Sequence, residues 1–317
     1  MKRFLKYVAI FAVSLILLAA GTEYMLRQVP NSLAYKRHLL ETHKGEVKNL
    51  IIGSSVANCG INPAYLWDST YNVAISGEWF RFNQKLVNRY IDDLPHLKRL
   101  VWGICFHSFW MDDNPDIDIS SIVNHNIYMG ISEGRNLLYD SELLSLGALS
   151  MRKWSKYYIR RKPTMHCDSL GVDHSYDLEC RKREWLEEIP SMAYNQHKAM
   201  IEDKGKRLYR ENVNRIHEIA ALCHDRGITL FLVMPPVHSS YFELVNKEQL
   251  AMVRAAIKEV TERWDNVYSM EYFGDSRFAD DDFYDGNHLS ADKGGIKFTK
   301  ILKHDIEAVS GFAESLN

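Results

Sequence analysis

This chain has almost no charge bias, no repeat and few cysteines, and each shortage closes off a class of function. Its 39 lysines and arginines face 41 aspartates and glutamates, for a formal net charge of −2. A nucleic-acid binder carries a basic excess to neutralise phosphates, so nucleic acid is not expected as a partner. The absence of internal repeats and low-complexity tracts excludes solenoids and linker-like chains. The five cysteines have no neighbouring cysteine or histidine at zinc-ligand spacing, so no metal is assigned. None of them follows the N-terminal apolar run, which argues against a bacterial lipoprotein signal. Cys167 and Cys180 flank a polar stretch and are the pair that could bridge in an oxidising compartment. Cys105, in an apolar strand, and Cys223, in a helix, read as inert core residues.

The N-terminus is distinctive. Met1-Lys2-Arg3 precedes a run from Tyr7 to Ala20 in which only Ser14 is polar. A basic flank followed by an apolar stretch is a membrane anchor or a secretory signal. Extending the run to Leu26 places Lys6 and Glu23 near its ends, where long polar side chains can reach the interface. Residues 1–27 are read as an uncleaved anchor, with a cleaved signal and a secreted product as the alternative. In either case the main domain, 28–317, is expected on the extracytoplasmic side. A buried helix of a soluble protein is disfavoured, because the run is apolar on every face.

Beyond it the chain alternates between strands and helices. Strands are expected over Lys48–Ile52, Tyr71–Ile75, Arg99–Phe106, Ile228–Met234 and Asn266–Met270. Helices are expected over Phe80–Leu94, Arg207–Arg226, Gln249–Trp264 and Ala291–Val309. This rhythm gives an α/β fold with a mainly parallel five-stranded sheet and helices on both faces. Ligand sites of such sheets lie at the carboxyl ends of the strands. Ser55, Gly77, His107 and Pro236 all follow strand ends and are expected at one crevice, with Ser54 lining it; His238, after Pro235-Pro236, reads as a loop residue, with a place in the crevice lining as its alternative. Residues 108–206 break the rhythm and are read as a mostly helical insertion covering that crevice. Its basic-aromatic run, Arg152 to Lys162, reads as a solvated helix with aromatics packed inward. The alternative is a contact with a glycan, anionic lipid headgroups or a partner.

Two segments carry chemistry. Asn49-Leu50-Ile51-Ile52 breaks on Gly53-Ser54-Ser55, and Asp285-Gly286-Asn287-His288 sets an acid three residues before an imidazole. A serine hydroxyl becomes a nucleophile when a base takes its proton, and a carboxylate fixes that base's tautomer. Each residue also has a plainer role: Ser55 as a helix cap, His288 as a capping or surface residue, Asp285 as a turn residue beside Gly286. The Asp280-Asp281-Asp282 run reads as a solvated loop, with a calcium site as its alternative.

Together these segments resemble the SGNH (GDSL-like) hydrolase superfamily. Gly53-Ser54-Ser55 is similar to its first block, with Ser55 at the nucleophile position and Ser54 in place of the usual Asp. Tyr71-Asn72-Val73-Ala74-Ile75-Ser76-Gly77 resembles the second block, and Asp285-Gly286-Asn287-His288 the fifth, continued by Leu289-Ser290 and Gly294-Gly295. The resemblance covers roughly residues 47–107 and 207–310. It implies a flavodoxin-like three-layer sandwich, a Ser55–His288–Asp285 triad, and an oxyanion held by the N–H groups of Ser55 and Gly77, with no metal or organic cofactor. The third block departs. The family carries Gly-x-Asn-Asp there, whereas this chain reads Gly103-Ile104-Cys105-Phe106 before His107-Ser108. A missing oxyanion donor typically costs about 100- to 1,000-fold in rate. Either His107 or Ser108 substitutes, or a group from the insertion does, or the protein is a slow enzyme or none at all. The leading functional expectation is an envelope acyl esterase or O-acyltransferase acting on an acylated polysaccharide through an acyl-serine. The alternatives are a lipid or small-ester hydrolase, and a non-catalytic SGNH-fold protein that works with envelope-biosynthesis proteins.

Overall fold

The structure, a computed structural model, describes residues 1–112, 119–132, 134, 136–201 and 203–311. In chain order the helices and strands are α1 (Lys2–Arg27), α2 (Ser32–His43), β1 (Asn49–Gly53), α3 (Ser55–Gly60), β2 (Thr70–Asn72), α4 (Phe80–Tyr90), β3 (Arg99–Gly103), α5 (Ile119–Asn124), α6 (Glu142–Trp154), α7 (Trp185–Ile201), α8 (Asp203–His224), β4 (Thr229–Met234), α9 (Ser239–Leu244), α10 (Lys247–Arg263), β5 (Val267–Glu271) and α11 (Gly294–Ser310).

The chain forms two compact units. The larger comprises residues 36–113 and 167–317. Its core is a five-stranded sheet in the order β2-β1-β3-β4-β5, and every pairing is parallel. Parallel strands covered on both faces must be apolar throughout. Leu50-Ile51-Ile52, Leu100-Val101-Trp102 and Leu230–Met234 are accordingly buried end to end. The strand order fixes where the helices lie. Crossovers between parallel strands are right-handed. The β1-to-β2 step runs one way along the sheet, and the steps to β3, β4 and β5 run the other way. So α3 lies on one face, while α4, α8 and α10 lie on the opposite face, where α8 packs against both α4 and α10. The chain returns as α11 beside α3. This is the expected three-layer α/β sandwich. The order reverses between β1 and β3, so the crevice belongs at the carboxyl ends of those two strands.

Local differences have physical causes. β2 ends at Asn72, because the Asn72 amide turns inward and donates to the carbonyls of Ala57 and Ile61. Even so, the N–H groups of Val73 and Ile75 still donate to Ile51 and Gly53 O, so the segment tracks β1 as far as the sequence predicts. α11 starts at Gly294 rather than Ala291, where Ser290 Oγ accepts the Gly294 N–H. Asp282 is not a solvated loop residue. It is buried and its carboxylate holds Lys297 Nζ at 2.6 Å, tying the loop to α11.

The smaller unit comprises residues 1–35 and 114–166. Its α1 has 26 residues; its most apolar window of 18 has a mean hydropathy of 2.2 and no buried residue, while Leu26, near the end of the helix, is buried. At about 1.5 Å per residue it is long and apolar enough to cross a membrane or to serve as a signal sequence. The stretch read as one insertion, 108–206, is divided between the units. Positions 113–118, 133, 135 and 202 of it lie outside the described residues. Residues 167–201 pack with the sheet: Leu170 O accepts the Asn72 N–H and Asn58 O accepts the Asp173 N–H. No disulfide joins Cys167, which is buried, to Cys180, which is exposed.

Candidate active site

Gly53 ends β1 with φ of 133°, a backbone state that disfavours side chains. It pairs in register with Gly103 at the end of β3. A Cβ on Gly53 would lie 2.5 Å from Gly103 O, and one on Gly103 would lie 2.5 Å from Ala57 Cβ. The two glycines therefore let α3 sit directly over the strand ends. Ser55 opens α3 and is only half-buried.

The loop after β5 brings the partners. His288 Nε2 is 2.7 Å from Ser55 Oγ, and His288 Nδ1 is 2.9 Å from both carboxylate oxygens of Asp285. The N–H groups of Asn287 and His288 also donate to Asp285 Oδ1, at 2.8 and 2.9 Å. Burial by itself would raise the Asp285 pKa. The His288 charge, its hydrogen bond and these two N–H donors outweigh that and hold the carboxyl below its ordinary range. An ionised Asp285 fixes the proton on Nδ1 and leaves the Nε2 lone pair for the Ser55 hydroxyl. Nearby thiols cannot compete as nucleophiles. Burial pushes Cys105 up to about 12 and Cys59 well above its usual value, so both stay protonated.

Gly77 lies two residues past Ile75, whose N–H reaches Gly53 O, and it has φ of 82°. Among the described residues no acceptor takes the N–H of Ser55 or of Gly77. Ser54 is buried, and its hydroxyl has no hydrogen-bond partner among them. His107 and Ser108 are placed differently from one another. His107 is buried against Trp79, with Nδ1 3.3 Å from Cys105 Sγ. Burial, then the His288 charge, push it down to about 3, so it is a neutral imidazole at the site's edge. Ser108 is buried and held through its backbone: its N–H donates to Cys105 O, and its carbonyl accepts Asn212 Nδ2 of α8. Among the described residues neither hydrogen-bonds to Ser55, Asp285 or His288. Cys105, at the position of the expected asparagine, meets the Asn287 amide at 3.7 Å.

His238 does not line the open crevice. It is buried between Trp185 and Phe283, its Nδ1 accepts the Ser240 N–H that begins α9, and its Nε2 pairs with Asp280. Its backbone N–H holds Gly286 O, so it steadies the loop that carries Asp285 and His288.

Three positioning residues are missing from the sequence reading. The Tyr176 ring lies 5.1 Å from that of His288, and its hydroxyl donates to Ser76 Oγ beside Gly77. Asn58 Nδ2 donates to the same oxygen and to Asp173. Lys36 is fully buried; its ammonium donates to Asn58 Oδ1 at 2.6 Å and to Ala74 O. Asn58 left one trace, an amide amid Val56, Ala57 and Cys59. Lys36 left none, since a lysine in a polar helix reads as exposed. Burial depresses Lys36 to about 8 against the acidic groups around it. A cation whose folded pKa is depressed contributes most stability above its unfolded value of 10.5 and loses it as pH falls through about 8. The melting-temperature difference between wild type and Lys36→Met is therefore expected to move in favour of wild type as pH rises across that interval. A difference that is flat with pH would show that Lys36 does not titrate there.

No known family model matches the chain, and no curated protein matches it. Among solved structures, one provisionally described as a platelet activating factor from Streptococcus pneumonia is similar. It shares 13% identity over 94% of this chain and 99% of that chain, with a TM-score of 0.42. A likeness at that level bears on neither activity nor substrate.

Proposed function

We propose that the chain is a serine-dependent acyl esterase or O-acyltransferase of the SGNH type, tethered by α1 and acting on an acylated carbohydrate of the cell envelope. One observation carries this reading: the continuous Ser55–His288–Asp285 hydrogen-bond chain at the sheet's switch point. Ser55 Oγ attacks the ester carbonyl carbon as His288 Nε2 takes its proton. Asp285 holds the imidazole and stabilises the imidazolium that forms. The N–H groups of Ser55 and Gly77 are the donors assigned to the oxyanion. Collapse of the tetrahedral intermediate expels the alcohol, which takes the proton back from His288 and leaves acyl-Ser55. Water or a sugar hydroxyl, deprotonated by the same His288, then receives the acyl group. The tether and the sugar acceptor rest on the apolar α1 and on the resemblance of the three sequence blocks.

A second reading, a non-catalytic assembly protein, draws on Cys105 standing where an oxyanion-binding asparagine is expected. Turnover separates the two. The full-length protein in detergent is expected to release p-nitrophenol from p-nitrophenyl acetate. Faster release with an added oligosaccharide, together with an O-acetylated product by mass, marks a transferase. Release indifferent to the acceptor marks an esterase. No release from a folded protein speaks for the assembly role.

A further inference from the structure

The smaller unit contains a feature that the catalytic reading leaves unused. Gly147 interrupts α6 with φ of 0° and ψ of −78° and folds it back on itself. Ser150 Oγ thereby reaches Glu142 O at 3.3 Å and Glu142 Oε2 at 3.2 Å, eight residues away. The result is a helical hairpin whose tip reads Leu143-Leu144-Ser145-Leu146-Gly147-Ala148-Leu149. Leu144 and Leu149 in the tip are each 57% exposed, and Met151, just after it, is 40% exposed. The polar groups at its base are satisfied internally. The buried Glu142 carboxylate takes the Tyr128 hydroxyl and Lys153 Nζ.

The hairpin is fixed to α1. Glu23 accepts the N–H groups of Glu142 and Leu143 and the Ser141 hydroxyl, and the Tyr158 hydroxyl donates to Met25 O. The covered side of α1 is a stripe at Ala19, Thr22, Glu23 and Leu26, and α6 packs along this helix. Ala19 lies one turn deeper in the apolar run than Glu23. Directly behind the tip, Arg152, Lys156 and Arg160 surround a cavity of about 570 Å³ with Ala148, Met151 and Ser155.

We propose that this hairpin is a second membrane contact, in which the Leu144/Leu149 tip enters the leaflet where α1 ends and Arg152, Lys156 and Arg160 bind anionic phospholipid headgroups. Continuity with α1 and the order of apolar tip followed by basic collar are what an interfacial anchor requires. Leu144 and Leu149 lie more than half exposed on either side of one bend, with Met151 exposed just beyond, and the basic side chains that follow favour an anionic cover. The inference rests on reading α1 as a membrane span.

The test uses the full-length protein in nanodiscs, with Cys180→Ser removing the exposed thiol. An environment-sensitive fluorophore is placed at Leu144→Cys or Leu149→Cys, with Leu15→Cys in α1 and Met252→Cys on α10 as references. In discs containing phosphatidylglycerol, the tip labels are expected to shift to the blue. A shallow acyl-chain nitroxide should quench them several-fold more than aqueous iodide does. Combining Arg152→Glu, Lys156→Glu and Arg160→Glu should abolish that preference, as should pure phosphatidylcholine. Tip labels quenched by iodide like Met252→Cys overturn the proposal, and so do tip labels shielded from both quenchers, which means a protein covers the tip. If the Leu15→Cys label, at the middle of α1, also escapes quenching by a nitroxide near the acyl-chain terminus, the span reading itself fails.

Discussion

Asp285→Asn is expected to lower kcat on p-nitrophenyl acetate by about 10,000-fold while the protein stays folded. The carboxylate meets both the His288 Nδ1 proton and the N–H groups of Asn287 and His288. Asparagine keeps one oxygen for those backbone donors, so the loop should hold its shape. Its amide nitrogen, however, donates where Nδ1 must donate. The imidazole then carries its proton on Nε2, facing Ser55, and cannot accept a second one. The cost falls on proton transfer and thus on kcat, with KM little changed. Initial-rate kinetics beside a melting curve would check this. A loss below about tenfold would mean that His288 is not held in its working tautomer by Asp285.

The second large effect concerns the support beneath Ser55. Gly103→Ala puts a methyl 2.5 Å from Ala57 Cβ, so α3 must lift from the sheet. Overpacking of this kind costs roughly 2–3 kcal/mol, and here the displaced turn is the one that carries Ser55. Activity should fall further than stability alone explains, because Ser55 Oγ leaves its 2.7 Å contact with His288. Ala57→Gly removes the atom that is struck. Alone it should cost about 1 kcal/mol of helix stability. Combined with Gly103→Ala it should restore activity, giving a strongly non-additive cycle. Additive losses in the double variant would show that the strand-end glycines serve something other than α3's seat.

The parts of the fold legible in the sequence are those where one physical demand dominates. β1, β3 and β4 are covered on both faces and read as continuous apolar runs. Gly53 and Ser55 read as a strand-end turn because the chain must reverse there. The contact between Asp285 and His288 is legible because the two lie within one short loop. The edge strand β5 is buried only at Val267 and Met270 and lacks a continuous apolar run, so its place after α10 is its clearest mark. What the sequence hid depends on long-range contacts. Lys36 and Tyr176 lie far from Ser55 in sequence, and nothing local marks a lysine that will be buried against Asn58 or a tyrosine that will cover His288. His238 reads as a loop residue after Pro235-Pro236, and it does precede α9 there, but nothing local shows that its ring is locked by Ser240, Asp280 and two aromatics. The division of the insertion at Cys167 was hidden for the same reason: Leu170 and Asp173 bond to Asn72 and Asn58 across about a hundred residues of chain. Gly147's fold-back was equally silent, since one glycine inside an apolar helical pattern ordinarily only lowers helix stability.

The most direct measurement is covalent labelling of the full-length protein with a fluorophosphonate, followed by peptide mass mapping. Wild type is expected to carry one adduct, on Ser55. It should be absent in Ser55→Ala, strongly reduced in His288→Ala and retained in Ser54→Ala. An adduct lost only in Ser54→Ala, or none on a folded wild-type protein, would contradict an activated Ser55.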